Sequence, residues 1–571
     1  MKIFWLIAVS AFAADISPQA YLADVKYLAS PELKGRATGS PELETAAHFI
    51  EERFASAGLK PQMLEFPVVV GAHLGPDNHL GTLEPGRDFV PFSFSSSGHL
   101  EAPVVFAGYG ITDNEKHYDD YAGLDVTGKI VLIFRHEPIE KAEFSNHATF
   151  TEKAVNAKMH GAKGVILVND VFAHDGKDEL PKFTVASGPT DSGVFFVQMK
   201  AAVAEAWLKA EGHSLEGAYQ AIRKDGQPHS FALTLKIAID ADIRRDSKNV
   251  HNVAAYWPGS TKEYVVIGAH YDHLGLGDEH SLAPSLIGQI HPGADDNASG
   301  TAGVIELARW FAAQPQQKRG ILFLTFAGED LGLLGSEWYV EHPVLPLENA
   351  VAMINMDMIG RIRDGKVYLG GTGTGSTFAR MLDDVKPPAA LHLDLSEKTG
   401  YGSSDHTSFT TKQVPVLFFF SGLHGDYHKP SDTADKIDAP DAVTLLDYVA
   451  DVTAYLEKSD GRPAFVRVPE PSQPPTGSGG GSGYGPAFGS IPDFNEPPKG
   501  VRFADVRDGT PAAKAGLKAG DILVEFDGKE IGNLYDFTYA LRAHKPGDLV
   551  LVKVLRAGRT IEAKVLLTER R

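Results

Sequence analysis

From Asn249 to Ser459 the sequence alternates near-continuous apolar runs with amphipathic stretches, and this alternation limits the fold more than any other feature. The runs "EYVVIGAHYD", "GILFLTFAGED" and "AVAMINMDMIG" are short and almost wholly apolar. Between and after them, "GTAGVIELARWFAAQ" and "APDAVTLLDYVADVTAYLEK" place apolar residues three to four apart, the period of a helix. Strands that read apolar on both faces need cover on both sides. The pattern therefore predicts an α/β unit with a mostly parallel, mixed sheet sandwiched by helices.

In open sheets of this kind ligands bind beyond the carboxyl ends of the strands. Acids and imidazoles sit at such ends or in Gly-bounded turns in five stretches: "GAHYDHLG" (268–275), "PGADDNASG" (292–300), "LTFAGEDLGLLGSEWY" (324–339), "NMDMIG" (355–360) and "DYHKPSDT" (426–433). One strand-end Asp is ordinarily a turn former or a helix cap. Five such stretches together point to one edge. Glu329 and Asp330, adjacent after an apolar strand, call for compensating positive charge, because an unpaired buried charge is costly. The chain has no cysteine, so any metal must be held by imidazoles and carboxylates. That donor set suits zinc in an open catalytic site, and there are enough donors for a pair of metals sharing a carboxylate.

In this order, H-x-D, D-D-N-x-S-G, G-E-D-x-G-L-x-G-S, M-D-M and H-x-x-x-D-T, the stretches resemble the co-catalytic di-zinc exopeptidases. That family holds secreted bacterial aminopeptidases, glutamate carboxypeptidases and, more distantly, glutaminyl cyclases. The likeness runs over about residues 15–458 and includes "LKGRATGSPELETAAHFIEERFASAGLKP". It implies that His270 and Asp357 hold one zinc, that Asp330 and His428 hold the other, and that Asp296 bridges them, with a cis peptide after it. Asp272 would orient the His270 imidazole, and Glu329 would be the general base that passes a proton from a metal-bridging hydroxide to the leaving amine. Tyr401 or Tyr427 would donate to the oxyanion, and Asp405 and Asp432 would support the site or cap loops. His273 is either an extra residue of the site or a surface residue.

The implied function is a secreted zinc-dependent exopeptidase acting on peptides, an aminopeptidase first. A glutamate-carboxypeptidase-like enzyme would need basic residues for a substrate carboxylate, for which Arg361 and Arg363 are candidates. A glutaminyl cyclase would use one zinc, and a receptor-like relative would have lost ligands that this chain retains. Many members of the family carry Glu-Glu where this chain has Glu329-Asp330. The second acid reaches about 1.5 Å less far, so the departure falls on the second zinc.

The remaining sequence flanks this core. At 571 residues the chain exceeds one domain. Residues 1–13 read as a secretory signal peptide, and no other long apolar run follows. The mature chain is thus expected outside the cytoplasm, secreted or periplasmic, with no membrane span. Residues 14–97 open the peptidase domain, and 229–460 form its main part. Between them, 98–228 resemble a protease-associated domain through "FAGYGI", "DYAGLDVTGKIVLI" and "HGAKGVILVND", which implies a lid limiting substrate length. Residues 461–486 are a Pro-, then Gly/Ser-rich linker. Residues 487–571 resemble the PDZ domains of bacterial proteases through "DGTPAAKAGLKAGDILVEFDGKEI", with "FGSIPDF" (488–494) as the loop that would capture a peptide C-terminus. The linker implies a tethered recruiter. "GGTGTG" (370–375) reads as a turn. A net charge of -20 is the opposite of a nucleic-acid footprint.

Overall fold

The computed structural model describes residues 15–113, 116–138, 147–172, 177–183, 191–277, 281–468, 485–493, 497 and 499–569. The expected signal peptide and the Gly/Ser stretch of the linker lie outside these residues. The chain divides into two compact units, one of Met1–Val68 with Lys248–Gly479, the other of Val69–Ser247 with Gly480–Arg571.

The first unit is built on an eight-stranded mixed sheet. Its strand order is Pro61–Leu74, Ile243–Trp257, Gly320–Phe326, Tyr264–His270, Ala350–Asp357, Val416–Phe420, Lys366–Gly370 and His392–Asp394. The four central strands from Gly320–Phe326 to Val416–Phe420 run parallel to one another. The outer pairings of Ile243–Trp257 and Lys366–Gly370 with that core are antiparallel. Tyr264–His270, Gly320–Phe326 and Ala350–Asp357 are buried at every position, as strands apolar on both faces must be. Helices Pro18–Leu28, Gly300–Ala312 and Ala439–Lys458 pack together, with Gly300–Ala312 and Ala439–Lys458 also against Tyr264–His270. Short helices Leu334–Glu341 and His406–Thr411 form a second pair, and His406–Thr411 packs on Ala350–Asp357. Ser17, Ser40 and Asp438 each cap a helix start by accepting a backbone N–H, with Pro in the first turn. His270 and Asp357 are the last residues of neighbouring parallel strands. His270 lies level with Phe326, from which the chain runs into Glu329 and Asp330.

The second unit holds a seven-stranded sheet in the order His79–Leu80, Phe231–Ala241, Gly98–Phe106, Ile130–Phe134, Gly164–Val168, Phe195–Met199 and Phe89–Pro91. It is wider than the 98–228 expected. Phe231–Ala241 pairs along Gly98–Phe106, and Ile239 joins Leu80 and Phe89 in one core. The C-terminal part forms a second sheet of six strands between Ser490 and Leu566, with the helix Leu534–Arg542. This part is not merely tethered, as the linker suggested. Leu534–Arg542 packs on the helix Phe150–Met159. Lys158 Nζ lies 2.6 Å from Asp536 Oδ2, Arg542 Nη1 lies 2.6 Å from Glu152 Oε1, and the Tyr539 hydroxyl donates to Asn156. Met159 rests against the C-terminal core. Among the described residues no helix is long and apolar enough to cross a membrane.

Candidate active site

The carboxyl ends of the central strands deliver the polar residues to one place. Thr301 donates its hydroxyl to the carbonyl of His270 at 2.7 Å, tying that strand end to the helix Gly300–Ala312. Past Phe326, Gly328 turns with φ +78, a conformation that favours glycine, and sets Glu329 and Asp330 side by side. The Asp296–Asn297 peptide is cis. The Asn297 side chain braces that joint: its amide donates to Met356 O at 3.1 Å, and its oxygen accepts from the N–H groups of Gly300 and Met358.

Two groups of donors result, with Asp296 between them. His270 Nε2 lies 3.4 Å from Asp296 Oδ1, 3.5 Å from Asp357 Oδ1 and 3.9 Å from Glu329 Oε2. The other oxygen of Asp296, Oδ2, lies 3.2 Å from His428 Nε2 and 3.8 Å from His273 Nδ1. Asp330 completes the second group. Its Oδ1 is 3.4 Å from His428 Nε2, and its Oδ2 is 3.2 Å from His273 Nδ1. His270, Asp296, Asp330, Asp357 and His428 therefore converge, with Glu329 at the first group. His273 is not at the surface, one of the two readings its sequence allowed. It is 2% exposed, because its ring lies against Gly293, where a Cβ would come within 2.5 Å of it.

A further layer of hydrogen bonds holds these side chains. Asp272 Oδ1 stands 3.7 Å from His270 Nδ1 and accepts the Glu329 N–H, while its Oδ2 accepts from the Thr38 hydroxyl at 2.8 Å. Ser404 donates to Asp357 Oδ2 at 2.8 Å and itself accepts from Asn355. Asp432 accepts the backbone N–H groups of Asp295 and Asp296. The buried Arg36 donates to the carbonyls of Tyr271 (2.7 Å), Leu28 (2.8 Å), Gly293 (2.8 Å) and Pro292. Arg36, Thr38 and Ser404 were not singled out in the sequence. An Arg or Thr inside a Gly-containing loop gives no periodic signal, and these contacts cross more than 200 residues for Arg36 and Thr38.

Burial pushes the Glu329 carboxyl well above the usual range, and Asp330, Asp357 and Asp405 push it further against the pull of His270. Burial raises Asp405 to about 7 and lowers Arg36 to about 10. For Asp330 burial is outweighed by His273 and His428, which hold it below the ordinary value. For His428 burial is outweighed by Asp296 and Asp330, which raise it to about 11. The Tyr427 ring stacks on His428 at 3.9 Å, and burial with the surrounding carboxylates keeps its hydroxyl protonated. Tyr401 sits half-buried in the loop before Ser404, its N–H donating to Thr399 Oγ1 at 3.3 Å.

The cluster fits a metal pair on its own chemistry. Both ring nitrogens of His270 and of His273, with Asp296 Oδ2 and Asp330 Oδ2, are buried without a hydrogen-bond partner. Buried polar atoms ordinarily have one. Dications between imidazoles and carboxylates would complete His270 Nε2, His273 Nδ1 and the two carboxylate oxygens.

Residues 252–453, which contain every donor of both groups, match the model for peptidase family M28. Residues 100–205 match the PA domain and 485–567 the PDZ domain. The chain is 28% identical over 408 residues to aminopeptidase YwaD of Bacillus subtilis, covering 69% of this chain and 76% of that one. It is 27% identical over 356 residues to an aminopeptidase of Pseudomonas aeruginosa, covering 59% and 56%. It is 29% identical over 197 residues to a probable leucine aminopeptidase of Arthroderma otae, covering 33% and 52%. The chain thus spans three quarters of the first relative and about half of the other two. Among solved structures it is similar to BSAP, a zinc aminopeptidase from Bacillus subtilis, with 23% identity, a TM-score of 0.48 and coverage of 78% and 96%.

Proposed function

We propose that this chain is a zinc-dependent exopeptidase, an aminopeptidase that hydrolyses the N-terminal bond of peptides. In this reading two zinc ions sit at the strand ends, one held by His270 and Asp357, the other by Asp330 and His428, with Asp296 shared. The observation that carries it is Asp296, whose two oxygens face two separate buried imidazole–carboxylate groups. Zinc bound there would activate water and polarise the scissile carbonyl.

The chain's own residues then have these tasks. Glu329, buried beside the first group, takes the proton of the attacking water and returns it to the departing amine. Burial raises its carboxyl, which helps it hold the proton between the two transfers. Asp272 holds the His270 ring and, through the Glu329 N–H, the backbone of the base. The hydroxyl of Tyr427, whose ring stacks on His428, or that of Tyr401 would donate to the carbonyl oxygen as it gains charge.

Cleavage from the amino end is favoured over the carboxyl end by Arg361. Its Nη1 lies 2.7 Å from Asp426 Oδ2, so its charge is committed within the protein rather than offered to a substrate carboxylate. The named relatives from B. subtilis and P. aeruginosa are aminopeptidases. Residues 1–13 would direct export, and the PDZ part would offer a site to a peptide C-terminus. The test is a panel of aminoacyl chromogenic substrates set against N-acylated and C-terminal-acid peptides. Turnover of the free-amine substrates alone is expected, and cleavage only at the carboxyl end would refute the assignment.

A further inference from the structure

We propose that His273 is a fourth protein ligand of the second metal, which makes the two metal positions unequal. The inference rests on the two-zinc reading above and concerns a residue outside the five implied ligands. His273 Nδ1, Asp296 Oδ2 and Asp330 Oδ2 offer ligand atoms that all lie within 4.8 Å of one another. A tetrahedral zinc with bonds of about 2.0–2.1 Å sets its donor atoms about 3.3 Å apart. Within this group the separations are 3.2 Å for His273–Asp330 Oδ2 and 3.8 Å for His273–Asp296; His428, outside it, lies 3.2 Å from Asp296 Oδ2 and 3.4 Å from Asp330 Oδ1. Asp330 splits its oxygens between the two imidazoles, one to each.

Apart from the carboxylates of Asp330 and Asp296, nothing faces the His273 ring nitrogens among the described residues. Neither ring nitrogen has a hydrogen-bond partner among the described residues, and burying an imidazole without one is costly. The position of the residue is set from behind. Its backbone N–H donates to Arg36 O at 3.2 Å, and Arg36 also clamps Tyr271 and the Pro292–Gly293 turn on which the ring rests. The shorter acid at 330 then has a counterpart. Reach lost from Glu to Asp at one ligand is offset by a donor brought in from the opposite side. The first position keeps three protein donors, His270, Asp357 and Asp296, and is the one left open to water and substrate. The second is closed by four, as in a structural zinc site.

Zinc content and affinity of the full chain, measured by competition with a chromophoric chelator, test this without an activity readout. Wild type is expected to bind two zinc ions. His273→Ala is expected to keep one at unchanged affinity and to bind the other at least 10-fold more weakly, since even a residue that only supports a ligand is worth about 10–100-fold. Two zinc ions at wild-type affinity in His273→Ala would overturn the inference. Fewer than two in wild type would instead overturn the two-zinc reading beneath it. Should the variant misfold, as judged by its metal-free melting curve, the crystal structure of zinc-loaded wild type decides. His273 Nδ1 within about 2.1 Å of the second zinc supports the assignment, and a ring turned away from it refutes it.

Discussion

Arg36→Met removes the group that ties three loops beneath the site, at nearly constant side-chain volume. The guanidinium donates to four backbone carbonyls, at Leu28, Tyr271, Pro292 and Gly293, and is fully buried. Each buried acceptor left without a donor costs about 1–3 kcal/mol. Four at the lower bound give a loss of about 4 kcal/mol, a large share of the roughly 5–15 kcal/mol that holds an ordinary domain. Arg36→Lys keeps the charge, but three donors on one nitrogen cannot span the carbonyls reached by the planar fork, so about half the loss is expected. Urea unfolding followed by tryptophan fluorescence reads chiefly this unit, which holds Trp257, Trp310 and Trp338, against Trp207 in the other. A lower midpoint at unchanged slope is the expected result. Tyr271 and Gly293 flank Asp272, His273 and Asp296, so zinc content should fall together with stability. An Arg36→Met protein within about 1 kcal/mol of wild type and with full zinc content would refute the clamp.

Glu329→Gln keeps the shape of the base and removes its proton traffic; turnover should fall about 100-fold to 10,000-fold with zinc content intact, and a wild-type rate in steady-state assays would reject Glu329 as the base. Ser404→Ala releases Asp357 Oδ2 from its 2.8 Å hydrogen bond, and zinc affinity at the first position should drop about 10–100-fold in chelator competition, whereas unchanged affinity would show the bond to be incidental. Removing residues 485–571 uncovers Met159 and takes away the partners of Glu152, Asn156 and Lys158. Calorimetry should then show the protease-associated domain melting several degrees lower, and an unshifted transition would mean the contact adds no stability.

Much of the fold could be read before the structure because its central strands are apolar on both faces and leave few alternatives. His270 and Asp357 stand at the ends of those strands, whereas Asp296, Asp330 and His428 lie outside strands and are named only through the resemblance to the di-zinc exopeptidases. Of the two readings of His273, extra site residue or surface residue, the structure excludes the second. A His beside Leu-Gly in a loop reads as exposed, and Gly293, Asp296, Asp330 and His428, all distant in sequence, enclose its ring. Arg36 and Thr38 act across 235 and 234 residues, and neither pattern nor spacing carries such contacts. The protease-associated sheet is closed by Phe231–Ala241, a strand whose alternating exposure resembles a linker edge as much as a core element. The docking of the C-terminal domain rests on polar pairs between two helix surfaces, which sequence alone cannot distinguish from solvated charges.

The most direct measurement is zinc reconstitution. Protein stripped by chelator is titrated with zinc while hydrolysis of an aminoacyl chromogenic substrate and of its N-acetylated counterpart is followed. Paired metal positions sharing Asp296 predict no activity in the stripped protein, full activity as the second equivalent of zinc is taken up, and none on the acetylated substrate at any point. Full activity in stripped protein, or equal cleavage of the acetylated substrate, would contradict it.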